Sequence, residues 1–267
     1  PKNKNDEEKL SESLNRLRKE DPVFVTQRNV ETNQLLVGGL GQTHIDVVLE
    51  RIKNNYNVDI ETEDAEVVYR ETIRKTAEAR GRHKKQTGGA GQFGDVYIRF
   101  EPIEDGFEFA EEIFGGAVPK NYFPAVEKGL IESCEQGFLA GYPVIGLRAV
   151  LYDGSYHPVD SNEISFKLAA QLAFREGLKN ADPTLLEPIM KIKVTVKDQY
   201  IGDVMGDLNK RRGRVLGMNP AEYEGWQTVE AYVPQAEVLN YTIDLKAMTQ
   251  ASGFFTMEFD HYDEVPH

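Results

Sequence analysis

Cysteine is all but missing from this 267-residue sequence. Cys134 stands alone, so an internal disulfide is excluded and a reducing, cytoplasmic setting fits best. Long apolar runs are missing as well. None approaches the roughly 20 residues that cross a bilayer, so no membrane partner is expected. Positive charge is in short supply: 31 Lys and Arg against 44 Asp and Glu leave a net charge of −13. That balance excludes indiscriminate binding to nucleic acid. The metal and nucleophile signatures HExxH, CxxC and Gly-x-Ser-x-Gly do not occur, and neither do the phosphate cradles GxxxxGK[ST] and GxGxxG. No catalytic residue, metal site or cofactor site is expected within this sequence.

The sequence does contain an ordinary globular composition, 40% hydrophobic and 28% charged, with length for two or three small cores. Cations gather in two places despite the acidic total. One cluster holds Arg74, Lys75, Arg80, Arg82, Lys84 and Lys85; the other holds Lys210, Arg211, Arg212 and Arg214. An acidic body with basic points suggests a protein that touches RNA at chosen places.

Periodicity divides the chain into three. Leu10, Leu14 and Leu17 form a helical stripe that ends at Asp21-Pro22. Strands at 23–28 and 34–37 follow, then a helix with Ile45, Val48, Leu49, Ile52 and Tyr56 inward, and a strand opening at Val58 and Ile60. This is a split βαβ order without its opening strand, over residues 1–74. Val96, Ile98 and Phe100 alternate as a strand, and Cys134 shares a helical stripe with Val126 and Leu130, which makes it a core thiol. Asn180-Ala-Asp-Pro183 reads as a linker. From 186 to 267 the pattern is strand, helix, strand, strand, helix, strand, the complete ferredoxin-like order. Lys210 to Arg214 fall at a helix C-terminus, where cations suit the dipole and could equally meet phosphates.

Between these flanks, residues 75–185 carry two loops of interest. Gln86-Thr-Gly-Gly-Ala-Gly-Gln92 is glycine-rich and rimmed by Arg82, Lys84 and Lys85. It is either a backbone cradle for phosphates or a solvated turn. Asp153-Gly-Ser-Tyr-His157 ends an alternating strand (Ile145, Leu147, Ala149, Leu151) and leads into a helix with Ile164, Leu168 and Leu172. Asp160 or Ser161 is the expected N-cap, and His157 sits just above that helix N-terminus.

Several stretches together resemble elongation factor G, the ribosomal translocase GTPase. They are Val68-Tyr-Arg-Glu-Thr-Ile73, the 86–94 loop, Leu151-Tyr-Asp-Gly-Ser-Tyr-His157, Leu186-Glu-Pro-Ile189, Gly206-Asp-Leu-Asn209, Arg211-Arg-Gly213 and Phe259-Asp-His-Tyr262. The resemblance implies an α+β chain, with two ferredoxin-like split βαβ domains (1–74 and 186–267) flanking a central ribosomal protein S5 domain 2-like domain (75–185). These correspond to the family's third, fifth and fourth domains; the GTPase domain, with its GTP and magnesium, would lie upstream. It further implies a decoding-site tip made by Gly154, Ser155, Tyr156, His157, Gln86, Gly88, Gly89, Gly91 and Gln92. RNA phosphate contacts would come from Arg82, Lys84, Lys85, Lys210, Arg211, Arg212 and Arg214. The implied partners are the ribosome, through rRNA and ribosomal proteins, with tRNA and mRNA, and the chain would act as a monomer. A recycling or ribosomal-protection paralogue on the same scaffold is the alternative. Two departures stand out: Gln42-Thr43 replaces the usual Glu-Leu before His44, and Pro158 follows His157 where an acidic residue is common.

Overall fold

The computed structural model describes residues 1–86 and 91–266. Its contacts divide into two units, Pro1–Val68 with Pro188–His261, and Tyr69–Glu187 with Tyr262–His267.

In the first stretch, α1 (Glu7–Glu20) buries Leu10, Leu14 and Leu17 along a single stripe. β1 (Val25–Arg28) and β2 (Leu35–Gly38) form an antiparallel hairpin whose turn closes when Asn29 Oδ1 accepts the Glu31 N–H at 3.0 Å. α2 (Gln42–Tyr56) packs Val48 and Ile52 inward and stops at Asn57, which takes the left-handed conformation at φ 53°. The strand expected at Val58 and Ile60 does not form. Val58 is buried with Phe24 in the core, but a ladder needs a partner, and residues 57–69 contain no assigned strand. The Lys2 N–H donates to the Asp59 carbonyl at 2.9 Å.

The second unit begins with β3 (Arg70–Ile73) and the long hairpin β4 (Ala77–Lys85) and β5 (Gln92–Pro102). β6 (Phe107–Glu111), α3 (Phe123–Gln136), β7 (Leu147–Ser155) and α4 (Glu163–Asn180) follow. The sheet order is β4-β5-β7-β6, with β6 parallel to β7 and the other pairs antiparallel. Alternation puts Val96, Ile98 and Phe100 of β5 and Leu147, Ala149 and Leu151 of β7 into one core, together with residues of both helices. Cys134 belongs to that core, and burial pushes its thiol up to about 12, so it is a packing residue rather than a nucleophile.

Two sequence expectations for α4 are corrected. Its buried face is Phe166, Ala169, Ala170, Ala173, Phe174 and Leu178, whereas Ile164 and Leu172 are exposed. Small residues face the sheet because the backbones meet closely: a Cβ on Gly81 would stand 1.8 Å from the Ala169 carbonyl oxygen, and one on Gly94 2.4 Å from that of Ser165. The N-cap is Asn162, not Asp160 or Ser161; its Oδ1 accepts the Ser165 N–H at 2.8 Å.

β8 (Pro183–Lys197) opens by pairing Pro183 to Leu186 with β3. The expected linker at 180–183 is instead a tight turn. Ala181 is buried, Asp182 has φ 54°, and the Ala181 carbonyl accepts the backbone N–H groups of Arg74 and Lys75. Beyond Pro188, β8 continues as the first strand of the last stretch. α5 (Ile201–Lys210), β9 (Arg214–Pro220), β10 (Trp226–Pro234), α6 (Tyr241–Met248) and β11 (Phe254–Glu264) complete it. The order β11-β8-β10-β9 is ferredoxin-like, over a core that includes Ile192, Val194, Val196, Val204 and Leu245. The fold class is therefore α+β, as expected. Among the described residues no helix is long and apolar enough to cross a membrane, and no group of three His, Cys, Asp or Glu could hold a metal ion.

Candidate nucleic-acid interface

The residues that follow the first loop meet the second loop at one end of the second unit. Phe93, one residue past the first loop, donates its N–H to the Asp160 carbonyl at 2.9 Å, and the 93 and 161 backbones form a parallel bridge. Ser161 ties the second loop to β5 with one hydroxyl. Its Oγ donates to the Phe93 carbonyl at 2.9 Å and accepts the His157 N–H at 2.8 Å. Gly91 lies against the second loop as well: a Cβ there would come within 2.5 Å of the Asp160 carboxyl carbon. Gly88 and Gly89 lie outside the described residues.

His157 holds its own turn. Nδ1 accepts the backbone N–H of Asp160 at 3.1 Å and of Val159 at 3.3 Å. A nitrogen that accepts must be unprotonated, so the ring proton resides on Nε2. The side chain is 51% exposed and packs its ring against Phe93 at a centroid distance of 6.4 Å. The result is one outward N–H donor on a ring whose position is already set. Tyr156 and Gln86 are also exposed, as are Arg82, Lys84 and Lys85.

Other predicted tip residues point inward. Ser155 Oγ donates to Asp95 Oδ2 at 2.7 Å, and Gly154 passes so close to Asp95 that a Cβ would lie 2.3 Å from its carbonyl oxygen. Gln92 Oε1 accepts from His83 Nε2 at 2.8 Å. These three support the point rather than present it.

Asp95 is the support that sequence reasoning missed. It is 2% exposed and receives Arg80 Nε at 2.8 Å and a terminal Arg80 nitrogen at 2.9 Å. Burial pushes its carboxyl up, but bonds from Arg80 and Ser155 and the charges of Arg80 and Arg82 outweigh that and hold it below its ordinary value. Arg80 and Asp95 are fifteen residues apart, and only the hairpin register, which pairs Lys85 with Gln92 and Arg82 with Asp95, brings them together. Counting back from the loop would have found them. A carboxyl lowered in the folded state contributes stability above its unfolded value and loses it as pH falls through the folded one. The base of the hairpin is therefore expected to loosen below about pH 4. Asp95→Asn should weaken amide protection in β4 and β5 at neutral pH and flatten their acid dependence; an unchanged acid limb would count against this.

The second cation cluster divides similarly. Arg211 is spent internally: Nε meets Asp207 at 2.7 Å, and the two terminal nitrogens meet the Glu237 carbonyl at 2.7 Å and Asp244 at 2.6 Å. With the guanidinium also 5.1 Å over the Tyr241 ring, Arg211 is largely committed within the protein. Arg212, at φ 58°, bonds Glu237 at 3.1 Å. Lys210 and Arg214 are exposed. In the first stretch His44 is also structural. Its Nε2 lies 2.6 Å from Asp21 and its Nδ1 accepts the Leu40 N–H at 3.1 Å, while the departing residues Gln42 and Thr43 take no part in either bond.

A helix–hairpin–helix stretch at the start and a ferredoxin-like unit at the end, with a helix-backed sheet and paired loops between them in sequence, are the architecture of a translation elongation factor. Three family models agree: "Elongation Factor G, domain III" matches residues 1–64, "Elongation factor G, domain IV" residues 65–182, and "Elongation factor G C-terminus" residues 184–267. A crystal structure from Thermus thermophilus is similar over 100% of this chain, at 45% identity and a TM-score of 0.87. This chain spans 40% of that one. The chain belongs to the elongation factor G family.

Proposed function

We propose that this chain forms the ribosome-contacting part of a translocase of the elongation factor G type, and that the 155–161 and 86–92 loops together enter the small-subunit decoding site as tRNA and mRNA move. Family membership supports the translation role. The observation that carries the tip assignment is the pair of hydrogen bonds made by Ser161, which fastens the 155–161 loop to Phe93 next to the glycine-rich loop, where Tyr156, His157, Gln86, Lys84 and Lys85 are exposed. Such an end acts as a steric and hydrogen-bonding pawl. It occupies a vacated site and hinders backward slippage, and it needs no covalent chemistry. Lys84 and Lys85 hold RNA phosphates while His157 Nε2 and Tyr156 make directed contacts. In the last stretch Lys210 and Arg214 serve as phosphate contacts to large-subunit RNA. GTP and magnesium belong to domains outside this sequence.

In a full-length factor carrying this sequence, Tyr156→Ala with His157→Ala should slow translocation about tenfold, equivalent to about 1.4 kcal/mol of barrier. Ribosome-stimulated GTP hydrolysis should stay close to normal. Rapid-kinetic measurement of mRNA movement checks this, and an undiminished translocation rate refutes the tip assignment.

A further inference from the structure

The sheet face turned away from α3 and α4 bears a pattern that the tip reading leaves unused. Arg82 lies 5.5 Å over the Phe93 ring and Arg80 lies 5.1 Å over the Tyr97 ring. Tyr97 in turn has Tyr152 beside it, centroid to centroid 6.1 Å. These three rings are half-exposed. A β-bulge lies beside this pair of rings. The β5–β7 register changes between Tyr97 and Ile98, which pair with Asp153 and Leu151, so Tyr152 is the additional residue. Bulges are common beside functional surfaces.

Charge marks where the pattern stops. Arg82 and Lys84 make no ion pair among the described residues, and Arg80, though paired with Asp95, keeps 45% of its side chain exposed. Farther along the same face Arg99 is matched by Glu101 and Glu112, and Arg148 by Glu101 and Glu108. The Tyr152 hydroxyl lies 3.4 Å from Glu78, at the acidic border. Unmatched positive charge and aromatic rings therefore occupy the same half of the sheet.

We propose that this half-face is a second RNA contact: a platform on which unpaired bases stack over Tyr97 and Tyr152 while their phosphates run along Arg80, Arg82 and Lys84. It rests on the RNA-facing reading of the tip, which it continues from Phe93 down the sheet. The chemistry selects single strands, because a ring can stack only on a base that has left its own stack. It selects RNA over an acidic peptide because stacking rings accompany the unmatched positive charges. Sequence preference should be slight, since every base has a stacking face.

The test uses the 267-residue chain and a short fluorescent oligouridine, followed by anisotropy at low salt. Tyr97→Leu with Tyr152→Leu keeps apolar volume but removes both stacking faces, and should weaken binding about tenfold. Tyr97→Phe with Tyr152→Phe keeps the rings and should bind like the parent, which separates stacking from hydroxyl bonding. Arg82→Ala with Lys84→Ala should reduce the dependence on salt. Leucine variants that bind as tightly as the parent overturn the proposal. So does an RNA duplex that binds as well as the single strand, or no oligouridine binding at all. The His157 translocation assay reports on the tip separately. A normal rate there with weakened binding by the leucine pair removes the tip reading and leaves the platform; the opposite pair of results removes the platform alone.

Discussion

Glu71→Ala should lower the melting temperature of the second unit by about 10 °C. Glu71 is 1% exposed, and its carboxylate gathers four backbone N–H groups from a single loop. Oε2 accepts from Phe138 at 2.5 Å and Leu139 at 2.8 Å; Oε1 accepts from Ala140 at 2.7 Å and Tyr142 at 3.1 Å. The Glu71 backbone adds to this, with its N–H to the Pro143 carbonyl and its own carbonyl accepting from Ile145, both at 2.9 Å. The loop needs such an anchor because it turns at Gly137 and Gly141 with φ of 74° and 85°, and no helix or ladder satisfies its donors. Removing the carboxylate orphans those donors at about 1–3 kcal/mol for each one left dry. With water replacing some of the bonds, the net loss is about 3–5 kcal/mol, and each kcal/mol shifts the midpoint by about 2–4 °C at this size. Glu71→Gln should fall between, because an amide has one accepting oxygen where the carboxylate has two. Circular dichroism melts with amide exchange at 138–142 decide the matter; an alanine variant that melts with the parent would show that the loop is held by something else.

The second large effect is expected at Gly81. A Cβ there would stand 1.8 Å from the Ala169 carbonyl oxygen and 2.5 Å from the Ala173 nitrogen, both backbone atoms of α4. No rotamer change relieves that overlap, so Gly81→Ala must push the helix off β4 and open the core around Phe100 and Phe174, whose rings meet edge to face at 6.0 Å. Overpacking ordinarily costs about 1–3 kcal/mol, and a clash with backbone on both sides belongs at the top of that range or above it. Gly206→Ala is the contrasting case. A Cβ there meets nothing within 4 Å, and the residue sits inside α5, so the change should stabilise by about 0.5–1 kcal/mol. Near-equal stabilities for the two variants would refute this account of helix–sheet contact.

These two residues also show what the sequence made legible and what it hid. Periodic apolar positions disclosed most elements, including the whole ferredoxin-like stretch after 186, because a sheet with one wet face alternates visibly. Cys134 was readable as core for the same reason. The α4 face was misread because bulk was taken as the sign of burial. Where backbones meet closely the buried residues are alanine and glycine, while Ile164 and Leu172 are left outside. The strand at Val58 was expected from local pattern, although ladder formation depends on a partner elsewhere in the chain. At the candidate interface the exposed members, Tyr156 and His157, lie in one contiguous motif and could be named. The Arg80–Asp95 pair could be reached only by counting the hairpin register back from the loop, and the two bonds of Ser161 are marked by no local pattern. The internal carboxylate partners of Arg211 were hidden too, because a run of basic residues does not reveal which of them already face carboxylates.

The Ser161 hydroxyl has a kinetic corollary. Because its single oxygen holds two chain segments in register, the residues between 155 and 161 give up their conformational freedom at folding instead of on contact with a partner. A surface ordered in advance pays no ordering penalty on arrival. Its association should therefore be governed by diffusion and charge steering, with little delay for rearrangement.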